Sequence, residues 1–297
     1  LPRGPDEIQA DLPRGPNETQ GDLSHRTDMR GRACRAGLAE KYDAACEEDG
    51  CMIEKKAGDY MKKRHRLRKL LGILFVILLL AAAGAAAYFG IRGYDMYRTA
   101  TEQESIAERV EEIRSMEHFT YYEELADFYI DAVISAEDHR FESHPGIDVI
   151  AICRAAWTDL RTLSFKEGGS TITQQLAKNM LFSQEKSIDR KVAEVFAALA
   201  LEADYSKKEI FELYVNTLYF GSGYYGIYEA AEGYFDKLPA ELTDYEAAML
   251  AGIPNAPSVY SPDENGELAM QRTEQVLSCM VRNACITQEE AEKIQMH

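Results

Sequence analysis

Gly168-Gly169-Ser170-Thr171-Ile172-Thr173-Gln174-Gln175-Leu176-Ala177-Lys178-Asn179 reads as a loop that becomes a helix. The two glycines let the backbone approach a ligand closely, and the hydroxyls after them can cap a helix. Thr171 and Gln174 have the spacing of a capping box, which marks the helix start. A helix start with free N–H groups and cations nearby favours a phosphate. The GxxxxGK[ST] order of a P-loop is missing. A plain loop-to-helix junction would look the same.

Downstream the capping-box spacing recurs at Ser206…Glu209, Thr243…Glu246 and Thr287…Glu290. Alternating strand runs bounded by turns are scarce. The chain from Tyr121 onward is therefore expected to be mainly α, with loops at Gly168–Gly169, Gly221–Gly226 and Pro254–Pro262.

Upstream, Leu70 to Ile91 is an uncharged run, LLGILFVILLLAAAGAAAYFGI. As a helix it would be about 33 Å long, enough for a hydrocarbon core of about 30 Å. Lys62, Lys63, Arg64, Arg66, Arg68 and Lys69 precede it, and only Arg92 and Arg98 follow closely. That asymmetry predicts a cytoplasmic N-terminus and an extracytoplasmic remainder. A cleaved leader with an apolar core at Leu70–Leu80 is the rival reading. Apolarity continues through Tyr88, Phe89 and Ile91, which favours an uncleaved anchor.

The expected organisation is a tail over 1–69, a transmembrane helix over 70–91, a polar stalk over 92–120 with a helix near Glu102–Met116, and a folded domain over 121–297. The tail opens with LPRGPDEIQAD, nearly repeated as LPRGPNETQGD. Two copies are too few for a solenoid, so disorder, or a true start at Met52 or Met61, is expected there.

Net charge is -17, made of +2 over residues 1–69 and -19 over the rest. So acidic a domain lacks the basic patch that nucleic acid requires, and that class of partner is set aside. The six cysteines contain no CxxC, which argues against structural zinc, and they read as buried thiols.

Three further stretches could carry chemistry. Glu137-Asp138-His139-Arg140-Phe141 with His144-Pro145-Gly146 places two carboxylates at the end of an apolar helix, Leu125–Ala136. Apolar surroundings can raise a carboxylate's pKa, as a general base needs, whereas a solvated pair would carry no function. In Lys186 to Glu194, the residues Ile188, Val192, Val195, Phe196 and Leu199 form one helical stripe. Arg190 and Glu194 share the opposite side, with Lys191 on its flank. These basic groups beside a carboxylate could hold a pyrophosphate or be an exposed ion pair of little worth. Asn216 to Ile227 sets three glycines among aromatics, suited to a sugar, a lipid or an aromatic core corner.

In order and spacing these stretches closely resemble the glycosyltransferase domain of class A penicillin-binding proteins and monofunctional peptidoglycan glycosyltransferases, glycosyltransferase family 51. E-D-x-x-F-x-x-H-x-G falls on Glu137, Asp138, Phe141, His144 and Gly146. G-G-S-T-I-T-Q-Q-x-x-K-N falls on Gly168–Asn179, and R-K-x-x-E on Arg190, Lys191 and Glu194. The fourth motif matches Asn216 through Ala231, and the fifth Glu246–Gly252 with Pro257–Pro262. Asp236, where the family usually has Gly, and Pro145 depart from the pattern. No S-x-N or K-T-G of a penicillin-binding half is present, which leaves a monofunctional or a truncated bifunctional enzyme open.

The resemblance implies a lysozyme-like, two-lobed, mostly helical fold behind a single transmembrane helix, with a smaller membrane-embedded jaw. It implies membrane-bound cell-wall biogenesis: lipid II joined to a growing lipid-linked strand, in company with wall-synthesis proteins. Glu137 would be the base. Lys178, Lys186 and Arg190 would neutralise the departing pyrophosphate. Glu194 would orient these cations or hold a divalent ion, Mg or Mn, if one takes part. Asp138, His144, Ser170, Thr171, Gln174, Gln175, Asn179, Lys191, Asn216, Tyr219 and Gly223 would contact substrate. A lytic transglycosylase or lysozyme-type hydrolase and an inactive wall scaffold are the alternatives.

Overall fold

A computed structural model describes residues 28–162, 168–183 and 185–296. The repeated opening lies outside them. The chain divides into two units, Leu1–Leu79 and Leu80–His297.

The described part of the first unit is helical and belongs to α1 (Asp28–Gln103). Helix therefore occupies the described part of the segment expected to be disordered. Within α1, Asp59–Gln103 is long and apolar enough to cross a membrane, with a mean hydropathy of 2.7 in its most apolar window. Leu70 through Leu80 are exposed, as side chains meant for lipid would be.

The second unit is all helix among its described residues, apart from an isolated bridge between Tyr219 and Tyr225. After α1 come α2 (Ile106–Arg114), α3 (Asp127–Glu137), α4 (Val149–Thr162), α5 (Ile172–Leu181), α6 (Ile188–Asp204), α7 (Lys207–Thr217) and α8 (Gly226–Phe235). Then follow α9 (Asp244–Gly252), α10 (Pro257–Tyr260), α11 (Pro262–Arg282) and α12 (Gln288–Gln295). All four expected capping boxes form, opening α5, α7, α9 and α12, and Ser105–Glu108 adds one at α2. Pro254–Pro262, expected as loop, contains a 3₁₀ turn and α10, because Pro at a first helical position is pre-set for helix.

Two helix groups build the core: α3 against α9 and α11, and α5 against α6 and α7. Phe141, Phe211, Tyr214, Leu176 and Leu201 are fully buried within it. Each such side chain stabilises the fold by roughly 1.5–3 kcal/mol. Residues 92–120, read as a polar stalk, lie against this domain. Val110 and Ile113 of α2 are buried, Tyr94 and Tyr97 meet Phe196, and Arg92 pairs with Asp189 at 2.7 Å. A Cβ added at Gly93 would lie 2.5 Å from Val192, so α1 and α6 touch where that residue has no side chain.

α6 corrects the sequence reading of its faces. Its buried face is Ala193, Glu194, Ala197, Ala198 and Leu201, not the stripe through Ile188 and Leu199, which are exposed. Val192 and Phe196 of that stripe are only partly buried and meet α1. The small alanines let α6 approach α5 closely and take Glu194 inside with them. The cysteines also differ from expectation: Cys153 and Cys285 are exposed and Cys279 partly so. Asp236 closes α8 in the left-handed region (φ 52), the reason a glycine is favoured there.

Candidate active site

Glu137 ends α3 and enters a cleft of ≈ 750 Å³. Across it, α5 supplies Gln175 and Lys178, and α6 supplies Arg190, Lys191 and Glu194. Ser170 and Gly168 of the loop before α5, and Asp138 beside Glu137, line it too. Eight of the expected site residues thus converge: Glu137, Asp138, Ser170, Gln175, Lys178, Arg190, Lys191 and Glu194.

The two glutamates have different surroundings. Glu194 is 1% exposed and faces two cations, Arg190 Nε at 3.0 Å and Lys191 Nζ at 2.8 Å. Arg190 Nε is near Glu194 Oε1 without hydrogen-bond alignment, so both atoms are buried with an ion-pair neighbour but no hydrogen bond. Lys191 Nζ also donates to Ser170 Oγ, tying the glycine loop to α6. Lys178 is half buried, and its ammonium is held below the usual lysine range. Burial is the main cause, Arg190 and Lys191 add to it, and Glu194 and Glu137 oppose it.

Glu137 has lighter company. Gln175 Nε2 donates to its Oε2 at 2.8 Å, and the Gln175 carbonyl accepts from Tyr214 Oη at 3.3 Å. From α11, Arg272 Nη2 stands 3.6 Å from Glu137 Oε1. Arg272 was not singled out from the sequence. The signal was Gly252 of the fifth motif: a Cβ there would meet the Arg272 side chain at 2.8 Å. Gly252 leaves room for this arginine, whose Nε donates to the Gly252 carbonyl at 3.3 Å. Pro254, Asn255, Cys279, Arg282 and Asn283 complete that wall.

The other expected residues lie elsewhere. His144 is buried, and its Nε2 donates to both Asp138 carboxylate oxygens at 3.0 and 2.9 Å. Asp138 also accepts from Ile172 N at the start of α5 (3.1 Å), which braces α3 on that helix end. Thr171 and Gln174 form the α5 cap, with Thr171 Oγ1 donating to the Gly146 carbonyl at 2.6 Å. Gly146, at φ +84, lets the chain pass α6, since a Cβ would sit 2.9 Å from the Ala198 carbonyl. Asn216 is buried and holds the backbone N–H and carbonyl of Thr120, each at 2.9 Å. Asn179 donates to the Thr217 carbonyl at 3.5 Å. Lys186 is exposed outside the cleft lining, and Tyr219 pairs with Tyr225 (rings 4.7 Å apart) in the loop that holds Gly223.

A divalent ion does not fit this donor set. Among the described residues no group of three or more His, Cys, Asp or Glu side chains converges. Both Glu194 oxygens already face cations, and Lys178 adds a third positive group nearby.

A helical domain with two carboxylates in one cation-lined cleft suits chemistry on an anionic substrate. The transglycosylase family model matches residues 102–281, more than half of the chain, and the chain belongs to that family, as a peptidoglycan glycosyltransferase domain of the class A penicillin-binding protein type. It is 43% identical over 171 residues to penicillin-binding protein 1A of Aquifex aeolicus, covering 58% of this chain and 24% of that one. Against penicillin-binding protein 1F of Bacillus subtilis it is 45% identical over 161 residues, 54% of this chain and 22% of the other. Penicillin-binding protein 1A/1B of the same organism is 35% identical over 250 residues, 80% and 27%. The crystal structure of penicillin-binding protein 1A from Haemophilus influenzae aligns over 42% of this chain and 15% of that one, at 30% identity and a TM-score of 0.30. The chain spans about a quarter of the length of the curated relatives it matches.

Proposed function

We propose that the protein polymerises lipid II into peptidoglycan strands by inverting glycosyl transfer and releases undecaprenyl pyrophosphate. The supporting observation is the unequal pair of carboxylates in one cleft: Glu194 is paired with Arg190 and Lys191, whereas Glu137 accepts from Gln175 and has Arg272 at 3.6 Å. Glu137 takes the proton from the acceptor's 4-hydroxyl. That oxygen attacks C1 of the donor's N-acetylmuramic acid, and the C1–oxygen bond to the pyrophosphate breaks. An inverting transfer needs one base and a stabilised leaving group, with no covalent enzyme intermediate.

Lys178, Arg190 and Lys191 receive the developing charge of the pyrophosphate, where fixed charge acts most strongly in the transition state. Glu194 holds two of these cations in place. Gln175 and Arg272 aim Glu137. Asp138 and His144 support the site from behind, and no step passes through a metal.

Leu70–Ile91 anchors the protein, residues 1–69 face the cytoplasm, and residues 121–297 form the extracytoplasmic catalytic domain, joined through 92–120. Wall-synthesis proteins are its expected company. A hydrolase is disfavoured, because finished glycan has no pyrophosphate for these cations to hold. Incubation of the purified full chain with lipid II and, separately, with finished glycan tests the choice. Polymer from the first and no cleavage of the second is expected; cleavage of finished strands without polymerisation would reverse the assignment.

A further inference from the structure

Two tyrosine hydroxyls lie buried within reach of the Glu137 charge, and the reaction above uses neither. Tyr129 of α3 and Tyr214 of α7 are fully buried. Burial raises the pKa of both phenols, and Glu137 raises each further, so both remain neutral donors. Their bonding differs. Tyr214 Oη is 3.3 Å from Gln175 Oε1, whereas Tyr129 Oη has no hydrogen-bond partner among the described residues. An amide oxygen only accepts, so the Tyr214 hydroxyl is the donor. That bond fixes which way the Gln175 amide faces, with Nε2 turned to Glu137 and donating to Oε2 at 2.8 Å. One turn further on, Asn179 of α5 donates to the Thr217 carbonyl of α7 at 3.5 Å, so the same faces of the two helices are tied twice.

We infer that Tyr214 is a positioning residue for the reaction: its hydroxyl holds the Gln175 amide in the one sense that serves Glu137 as a carboxylate. This inference rests on the proposed role of Glu137 as the base. A base passes through two states with opposite needs. The carboxylate takes a donor, whereas the protonated acid has a hydrogen to give and is met best by an acceptor. A Gln175 free to turn over offers its nitrogen to the carboxylate and its oxygen to the acid, and so favours neither. Held by Tyr214 it offers only the nitrogen, and the form that accepts a proton is favoured. Turning it over would strand the buried Tyr214 proton without an acceptor, which burial makes unfavourable. Tyr129 supplies the comparison: a second buried phenol near the same charge, with no bond to the amide.

The test measures strand synthesis from lipid II, and lipid II affinity, for variants of the full chain in lipid vesicles. Tyr214→Phe keeps the ring and removes the donor. Its turnover should fall roughly three- to ten-fold, the scale of one lost hydrogen bond, with KM and lipid II affinity held within about two-fold. Tyr129→Phe removes the unbonded hydroxyl and should change turnover less than about two-fold. Gln175→Met removes the amide and should lower turnover about ten-fold. Adding Tyr214→Phe to Gln175→Met should cause less than about two-fold further loss, because Tyr214 acts only through that amide. Thermal midpoints check folding. If Tyr214→Phe does not fold, Gln175→Glu carries the test, since it still accepts from Tyr214 yet presents no donor to Glu137. Its turnover should fall as far as that of Gln175→Met, and near-normal synthesis would overturn the inference. Equal losses in the two Phe variants, or losses that multiply in the combination, would mark Tyr214 as packing alone and overturn it equally. Lost lipid II affinity in Tyr214→Phe with turnover held would make Tyr214 a substrate contact, which also overturns it. A wild-type protein that makes no strands would count against the proposed reaction itself, whereas Tyr214→Phe matching an active wild type would sink only this inference.

Discussion

The two ends of the cleft are built differently. At the α6 end Glu194 is buried, flanked by Arg190 and Lys191, and tied through Lys191 to the glycine loop. At the α3 end Glu137 has one amide donor and one arginine at 3.6 Å. A carboxylate committed to two cations is a good scaffold for them. Glu137 is held by a neutral amide on one oxygen, and its other oxygen has only the more distant Arg272 beside it. The contrast teaches that two acids in one cleft need not be partners in acid–base chemistry. In the proposed reaction one serves the proton and the other serves the leaving group.

The hardest way to break this contrast is to exchange the acids. Glu137→Gln keeps the shape and removes the base, so strand synthesis should fall roughly 10²–10⁴-fold. Glu194→Gln should retain weak synthesis, with its defect on the donor side. Equal loss in both, with donor and acceptor affected alike, would erase the distinction. Next in size are the cations: Lys178→Ala and Arg190→Ala should each lower turnover roughly 10²-fold or more. Near-normal turnover in both, with the helical signal intact by circular dichroism, would put the phosphate site elsewhere.

Smaller effects sharpen the Glu137 end. Gly252→Ala displaces Arg272, and both it and Arg272→Gln should slow synthesis about ten-fold while lipid II affinity holds. An affinity loss in place of a rate loss would make Arg272 a substrate contact and not an aiming group.

The pH profile separates the ends again. Lys178 has a folded pKa below its unfolded one, so the unfolded chain binds more protons between the two values. Stability therefore rises with pH through that window. Pyrophosphate prefers the charged ammonium, so donor affinity should fall over the same window, at lower pH than for an ordinary lysine. Lys178→Arg keeps its charge and should remove that fall; an unchanged profile would exclude Lys178 as its source. The smallest effect expected is at Asp236, whose left-handed backbone costs roughly 1–2 kcal/mol without glycine. Asp236→Gly should raise the thermal midpoint with synthesis unchanged.

The helix starts were legible because capping is local: Thr171–Gln174 or Ser206–Glu209 is complete within four residues. The inward face of α6 was not. An apolar stripe marks one buried side, but α6 meets protein on two, with α1 against Val192 and Phe196 and the core against its alanines. The burial of Glu194 was hidden for the same reason. Motif order identified the convergent residues but did not separate those that line the cleft from those that hold its walls. Thr171, Gln174, Asn216 and the Nε2 of His144 are polar like ligand contacts, yet they hydrogen-bond inside the protein. Arg272 is distant in sequence from Glu137, and only the packing of α11 on α3 brings them together.

The central claim is tested most directly by following, in one reaction, the glycan made from lipid II and the undecaprenyl pyrophosphate set free. The wild-type full chain should release one pyrophosphate-linked lipid for each disaccharide joined. Glu137→Gln should bind lipid II as tightly and release almost none. Strand synthesis by Glu137→Gln at more than about a tenth of the wild-type rate, where loss of a base should cost roughly 10²–10⁴-fold, would contradict the account.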